Sequence, residues 1–137
     1  MTGKESKLAH DVAMRAVHPE EAPPAESRPA PVLHRLLIRS VLVDMSEIRW
    51  IGAERSYVRV HLATASYPIR ISLGRLAERL DPERFARIHR STIVNLDHVR
   101  EVVRWFGSDY LVRLRDGAEL RLSRSYWRGL KERLLPG

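Results

Sequence analysis

The residues with the clearest chemical potential form one short stretch, RIHRSTIVNL, which runs from Arg87 to Leu96. His89, Arg90 and Ser91 stand together in it, directly before an apolar run. An arginine guanidinium can donate two parallel hydrogen bonds to one guanine edge, and an apolar run anchors the backbone in a core. The alternative interpretation treats Arg90 as a surface charge and His89 as a half-buried residue. Three residues alone do not decide between the two.

Two other places in the chain combine arginine with small hydroxyl residues. One is Arg55-Ser56-Tyr57 and the other is Ser123-Arg124-Ser125. Hydroxyl groups bind phosphate and fix register, and a neighbouring guanidinium can reach a base edge. No predicted helix carries the solvent-facing basic row that is typical of a recognition helix. The pattern therefore predicts a β-type reader of DNA with three similar loops.

The charge balance favours a polyanionic partner. The 137 residues include 24 Lys and Arg against 17 Asp and Glu. Residues 1–34 hold four basic and five acidic groups, so the positive excess lies in residues 35–137. A basic domain attracts nucleic acid first and an anionic membrane surface second.

Several other classes of protein are disfavoured by composition. The absence of cysteine excludes disulfides, thiolate metal sites and a cysteine nucleophile. The chain has no apolar run of about 18 residues, and its N-terminus lacks the apolar stretch of a secretory signal. The six histidines show no metal-ligand spacing. We therefore expect a cytoplasmic protein that needs neither a metal nor a cofactor.

The pattern divides the chain into a tail, residues 1–34, and a domain, residues 35–137. The tail is predicted to be disordered or partly helical, since apolar residues between Lys4 and Val17 recur at helical spacing. Five of the eight prolines follow before Val32, which predicts a disordered linker. The alternative is a tail that docks on a regulatory partner.

The domain has the pattern of short strands with two helices. In YVRVHL, Val58, Val60 and Leu62 alternate with polar residues, as in a strand with one buried face. A serine-capped helix is predicted from Ser72 to Leu80, and a second helix closes the chain. The tryptophans are predicted core residues. Strands are predicted at residues 36–43, 48–53, 57–62, 67–71, 99–106, 110–114 and 119–122, and the proline of the fourth places it at a sheet edge. The dipeptide Asp116-Gly117 predicts a hairpin turn between the last two strands.

From about Leu36 to Leu134 the sequence resembles the LytTR family, the DNA-binding domain of many bacterial response regulators. The resemblance is carried by three blocks, whose order and spacing also match: IRWIGAERSYVRVHL, SLGRLAERLDPERFARIHRSTIVNL and DYLVRLRDGAELRLSRSYWRGL. The central block is the most specific, because a capped helix is followed in turn by LD, F, RIHRS and VNL.

The resemblance implies a mainly β fold, an elongated arrangement of small antiparallel sheets with one or two short helices. Loops at its edge would enter successive major grooves of double-stranded DNA. In such domains the positions matching Arg90, Arg124 and Tyr57 contact bases. Other matched positions would contact phosphate or position the loops: Arg55, Ser56, Arg59, His89, Ser91, Asn95, Ser123 and Ser125.

The resemblance also implies how the domain would be used. Family members commonly bind DNA as two copies on tandem sites and bend it, which draws on the deformability of the duplex. Response regulators of this type carry a receiver domain first, whereas only 34 tail-like residues precede the domain here. We therefore expect a free-standing regulator or a fragment. A separate sensor or a membrane-protein inhibitor, acting through the tail, would control it.

Two other classes of function, and RNA binding as a variant of DNA binding, stay open at this point. An enzyme would use His89 and Ser91 as a nucleophilic pair. Asp97 or Asp81 would complete it, but no nucleophile-elbow or phosphate-binding glycine pattern is present. RNA binding would need aromatic side chains exposed on a sheet face. A protein- or ligand-interaction module without DNA binding would use aromatic anchors, and the candidates are Tyr57, Trp105 and Trp127.

Overall fold

A computed structural model describes residues 31–135 of the chain. The predicted tail helix between Lys4 and Val17 and nearly all of the linker lie outside the described residues. The described part is mainly β, as predicted, with ten strands in three antiparallel sheets and two α-helices. The elements are β1 (Arg35–Ile38), β2 (Val41–Asp44), β3 (Trp50–Glu54), β4 (Tyr57–His61), β5 (Ser66–Ile69), α1 (Leu73–Ala77), β6 (Phe85–His89), β7 (Thr92–Asn95), β8 (Val99–Arg104), β9 (Tyr110–Leu114), β10 (Glu119–Leu122) and α2 (Arg124–Leu134), with 3-10 helices at Met45–Glu47 and Leu96–His98.

The prediction of a single strand at residues 36–43 was wrong, because this segment is the β1–β2 hairpin. Ile38 pairs with Val41 across a two-residue turn in which Arg39 has a φ of 57°. Such a turn normally takes glycine, asparagine or aspartate where φ is positive. The sequence has none of these residues there, so nothing in the pattern marks the turn.

A five-stranded sheet in the order β5-β4-β3-β7-β6 forms the centre of the described domain. The strand that contains Pro68 lies at an edge of this sheet, as predicted. The central strands are buried on both faces, because Ile93 belongs to one apolar core and the adjacent Val94 to the other. This explains why the apolar run after Ser91 is continuous rather than alternating.

The two cores are closed by different elements. On one face, the β1–β2 hairpin and α1 cover the side chains of β3 and β4. On the other face, the three-stranded sheet β10-β9-β8 and Leu130 of α2 cover Ala86 and Ile88 of β6. β6 and β7 therefore lie between two packed layers, which fixes the loop that joins them.

Short-range signals in the sequence placed the helix α1 and the β9–β10 turn. The Ser72 hydroxyl accepts the N–H of Arg75 at 3.2 Å, which confirms the predicted cap, although α1 ends at Ala77 instead of reaching Leu80. Gly117 has a φ of 95°, and Asp116 accepts the N–H two residues later at 3.0 Å. No helix within residues 31–135 is long and apolar enough to cross a bilayer.

Residues just before β1 are tied to the domain by their main chain. The N–H of Leu33 donates to the carbonyl of Arg79 at 2.8 Å, and the Arg79 Nε donates to the carbonyl of Pro31 at 2.8 Å. The division of the chain at residue 34 stays a prediction. A truncated protein that is meant to keep these bonds should begin before Pro31.

Asn95 is the buried polar residue of the described core, with an exposed fraction of 0%. Its side-chain amide donates to the carbonyl of Ile48 at 2.8 Å and its Oδ1 accepts the N–H of Asp97 at 3.0 Å. The end of β7 is thereby joined to the segment before β3, and the 3-10 helix after it is capped. The bond to Ile48 is buried, where water cannot replace it.

We predict that Asn95→Ala lowers the free energy of unfolding by about 1–3 kcal/mol, because a buried carbonyl loses its donor. Urea denaturation measures this change. Asp44→Ala is the matched control, since Asp44 caps the other 3-10 helix at the surface by accepting the N–H of Ser46 at 2.9 Å. A loss for Asn95→Ala no larger than that for Asp44→Ala would contradict a structural role for the buried amide.

Candidate nucleic-acid interface

The structure brings the three predicted arginine-containing loops to one end of the strands of the central sheet. We refer to residues 55–57 as the first loop, 89–91 as the second and 123–125 as the third. The N–H of Ala53 donates to the carbonyl of Ser91 at 2.8 Å, which joins the first loop to the second. The N–H of Ser123 donates to the carbonyl of Ile88 at 2.9 Å, which joins the second loop to the third. The second loop therefore lies in the middle of a row.

The second loop is shaped by a β-bulge and by an arginine that precedes it. The register between β6 and β7 shifts between Arg87 and His89, so Ile88 is the extra residue and points into the second core. The Arg87 side chain donates to the carbonyls of His89, at 2.9 Å, and of Arg90. Bulges re-aim side chains at functional edges. Arg90 is exposed, and within residues 31–135 its guanidinium makes no hydrogen bond or ion pair.

His89 is fixed by its neighbour in the same loop. Its Nδ1 accepts the main-chain N–H of Ser91 at 3.2 Å and lies 2.9 Å from the Ser91 hydroxyl. The neutral ring then carries its proton on Nε2, which is free to donate outward. Burial, followed by the charges of Arg121 and Arg90, lowers the pKa of His89 below 6.5. The ring is therefore a neutral donor at pH 7.

The third loop forms the N-terminus of α2, so the helix begins earlier than the sequence pattern indicates. Arg124 is its first residue and Ser123 its N-cap, but the Ser123 hydroxyl makes no capping bond. Asp109, from the β8–β9 turn, accepts the N–H of Arg124 at 3.2 Å instead. The Arg124 Nη1 lies 3.3 Å from the Ser108 hydroxyl. Because Asp109 supplies the cap, the Ser123 hydroxyl is left to the Ser125 hydroxyl, which lies 3.4 Å away.

Asp109 is a functional residue that sequence reasoning missed, because GSD at residues 107–109 indicates only a turn. Its Oδ2 accepts from the Arg121 Nε at 2.8 Å, in addition to the bond to Arg124. The bond from Arg121 is the largest cause of the lowered pKa of Asp109. One ionised carboxylate thus holds β10 and the start of α2 together. No sequence signal pairs residue 109 with residues 121 and 124.

The turn of the first loop consists of two residues, Arg55 and Ser56, between the paired residues Glu54 and Tyr57. Arg55 has a φ of 54°, a conformation that costs a non-glycine residue of order 1–2 kcal/mol. Arg55 and Ser56 are exposed, and Tyr57 is half-buried. Arg39 has the same backbone conformation in the β1–β2 turn, so this strain by itself does not mark a functional loop.

The outward face of β4 is more occupied than its sequence indicates. The Trp50 ring lies over Gly52, where a Cβ would come within 2.8 Å of it, and stacks on His61 with a centroid distance of 3.8 Å. The Arg59 Nε donates to both carboxylate oxygens of Glu54, at 3.2 and 3.1 Å. A phosphate contact by Arg59 would have to compete with this ion pair.

Two predicted placements are corrected. Asn95 was predicted to contact phosphate or to position the loops, and because it is fully buried with both ends of its amide bonded inside the domain, we remove it from the phosphate contacts. The tryptophans were predicted to be core residues, but Trp105 is 46% exposed. Trp127 is half-buried and stacks on Tyr110 at a centroid distance of 4.3 Å.

The arrangement around His89 and Ser91 gives little support to a nucleophilic site. The bond between the two residues lies within one tight loop, and the His89 Nδ1 already accepts a main-chain N–H. Asp97 faces Arg84 at 3.7 Å, and Asp81 accepts the N–H of Glu83. In the described part of the chain, no group of three histidines and carboxylates is placed to hold a metal ion.

Comparison with known proteins identifies the family. The family model of the LytTr DNA-binding domain matches residues 39–135. The chain belongs to the LytTr DNA-binding domain family. Sensory transduction protein LytT of Bacillus subtilis is 34% identical over 94 residues, which are 69% of this chain and 39% of that protein. Transcriptional regulatory protein LytR of Staphylococcus aureus is 33% identical over 90 residues, 66% of this chain and 37% of that protein.

A solved structure supports the fold assignment. The LytTr DNA-binding domain of a response regulator from Bacillus cereus superposes with a TM-score of 0.65 at 24% identity. The match covers 69% of this chain and 86% of that one. The LytTr fold is therefore shown, while this chain spans less than two-fifths of the length of LytT and LytR.

We predict that the free energy of unfolding falls as the pH drops below about 6.5. Burial lowers the folded-state pKa of both His89 and His61, so the unfolded chain binds more protons in that range. Denaturation at about pH 7.5 and about pH 5.5 avoids the range in which carboxylates titrate. His89→Asn, which keeps an acceptor near the Nδ1 position, should make the decline shallower. The same change at the exposed His34 should leave the decline as it is, and equal slopes for the two variants would contradict the prediction.

Proposed function

We propose that this protein is a regulator of transcription that binds double-stranded DNA in a sequence-specific manner. The three loops would enter successive major grooves along one face of the duplex. The observation that carries this proposal is the row of loops, joined by two main-chain hydrogen bonds, at one end of the strands of the central sheet. Its family is a DNA-binding family, and LytT and LytR are a sensory transduction protein and a transcriptional regulatory protein.

Base recognition is assigned to exposed guanidinium groups whose backbones are held rigidly. Arg90 projects from a loop that Arg87 braces, and Arg124 begins α2 where Asp109 caps the helix. A guanidinium on a fixed backbone loses less conformational entropy when it donates to guanine O6 and N7. Tyr57, half-buried at the end of the first loop, would contact a base with its exposed edge.

Phosphate contacts are assigned to donors that surround those arginines. The His89 Nε2–H makes no hydrogen bond within residues 31–135, whereas the Ser123 and Ser125 hydroxyls lie 3.4 Å apart and bond to each other at the start of α2. The positive end of an 11-residue helix attracts anions. The other donors proposed to contact or position phosphate are Arg55, Ser56, Ser91 and, once released from Glu54, Arg59.

We predict that Arg90→Ala and Arg124→Ala each cost about 1–3 kcal/mol on the specific site and much less on scrambled DNA. Arg59→Ala should weaken binding to both duplexes about equally. It should also make the plot of log affinity against log salt concentration shallower by roughly one unit of slope. Affinities for both duplexes at several salt concentrations measure these effects.

The matched control is Arg75→Ala, which removes an exposed arginine from α1, outside the three loops. It should lower the affinity for either duplex only by the effect of removing one distant charge. If Arg90→Ala lowers specific and non-specific affinity by the same factor, Arg90 contacts only the sugar-phosphate backbone of the DNA. The second loop would then not read sequence.

We also propose that two copies bind direct repeats, because each copy would lie along one face of the duplex with its loops in the same order. We predict half-sites of the same orientation, spaced by roughly 10 base pairs or a multiple. Footprinting on sites selected from random-sequence DNA measures this spacing. Inverted half-sites, or a single site with no repeat, would contradict the arrangement.

A further inference from the structure

Two large apolar side chains are exposed together at the turn between β8 and β9. Trp105 is 46% exposed and Phe106 is 78% exposed. Their ring centroids lie 5.4 Å apart with an interplanar angle of 47°. We refer to residues 105–109 as the aromatic turn. Exposed apolar pairs of this kind are typical of binding surfaces.

The aromatic turn has a fixed conformation. The N–H of Asp109 donates to the carbonyl of Phe106 at 3.1 Å, and the N–H of Trp105 donates to the carbonyl of Asp109 at 3.1 Å. Gly107 has a φ of 60°, a backbone conformation that residues with a side chain rarely adopt. Phe106 is therefore presented at the tip of a closed turn.

The same turn holds the proposed base-reading residue of the third loop. The Ser108 hydroxyl lies 3.3 Å from the Arg124 Nη1, and Asp109 Oδ1 accepts the N–H of Arg124 at 3.2 Å. Trp105 and Phe106 are separated from these two residues only by Gly107. The exposed rings are consequently continuous with the DNA interface proposed above.

The charge around the aromatic turn suits a polyanion. Arg104 precedes it, and Arg121 and Arg124 both bond to Asp109. Arg121 is ion-paired with Asp109, whereas Arg124 bonds to it only through its main-chain N–H, so three guanidinium groups stand beside one carboxylate. Exposed rings beside this excess of positive charge match DNA, which offers phosphates together with apolar base and sugar surfaces.

We propose that the aromatic turn is a fourth DNA-contacting element, in which Phe106, supported by Trp105, presses as a wedge against a base step next to the Arg124 contact. The proposal rests on the proposed function. Apolar side chains that enter a base step unstack it partly and kink the duplex, and flexible pyrimidine–purine steps deform most easily. The wedge would give this protein a means of bending DNA that the arginine loops do not supply.

The test uses the full chain and a duplex that the full chain selects from random-sequence DNA. Phe106→Ser and the double variant Trp105→Ser with Phe106→Ser should each lower affinity roughly tenfold, the effect of losing one stacked base. Phe106→Tyr keeps a ring and should bind like the original protein. A 2-aminopurine placed at successive positions beyond the Arg124 contact should brighten at one step with the original protein and stay dim with Phe106→Ser. The bend angle, measured by energy transfer between the duplex ends, should fall with the same variant.

The matched control is Leu37→Ser with Leu42→Ser, an exposed apolar pair of the β1–β2 hairpin, 65% and 56% exposed. It should change neither affinity nor bend. Since Phe106 is at the surface, thermal unfolding of Phe106→Ser should match that of the original protein.

Three outcomes overturn the proposal. Unchanged affinity, 2-aminopurine signal and bend for Phe106→Ser would show that the aromatic turn does not touch DNA. A loss seen on a two-copy site but not on a single half-site would assign the turn to contact between copies. If Arg124→Ala and Phe106→Ser both bind like the original protein, the proposed interface fails as a whole. If Arg124→Ala loses affinity and Phe106→Ser does not, the wedge is overturned and the proposed interface stands.

Discussion

The candidate interface depends on the position of one hairpin, β6–β7, which is held on both sides by main-chain hydrogen bonds. The carbonyl of Ser91 accepts from β3, and the carbonyl of Ile88 accepts from the residue before α2. Two apolar cores cover the opposite faces of this hairpin. Because neither side can shift without breaking a core, the exposed guanidinium of Arg90 leaves from a fixed backbone. The first and third loops are positioned by their hydrogen bonds to the β6–β7 hairpin.

The polar contacts around the loops divide into supporting and available groups. Arg87, Asp109 and Arg121 are used to hold the backbone of the second and third loops. The Arg90 guanidinium has no such partner in the described residues, and the Ser123 hydroxyl has only the Ser125 hydroxyl, at 3.4 Å. A rigid support with unused donors at its edge is what preorganised recognition requires, since little entropy is then lost on binding. Arg59 belongs to neither class fully, because its guanidinium is ion-paired with Glu54 and would have to be released before it contacts phosphate.

Local signals made part of the fold and site predictable. The Ser72 cap, the Asp116-Gly117 turn and the alternation of β4 each depend on residues a few positions apart, and each was found where the sequence placed it. The three arginine loops were also found at strand ends, since the hydroxyl residues beside each arginine interrupt the apolar pattern. The hairpin turn at Arg39 was not found, because its positive φ is adopted by a residue that rarely accepts it.

The sequence by itself determined the class of the domain, the basic character of residues 35–137 and the residue types of the three loops, because these follow from composition and local spacing. Only the tertiary structure decided which side chains are free. It buried Asn95, paired Arg59 with Glu54, exposed Trp105 and Phe106, and gave Asp109 the role of capping α2 from the β8–β9 turn. Each of these outcomes depends on partners from 5 to 47 residues away, or on which face of a sheet is covered. Such pairings arise only when strands align across the whole domain, and no local pattern encodes them.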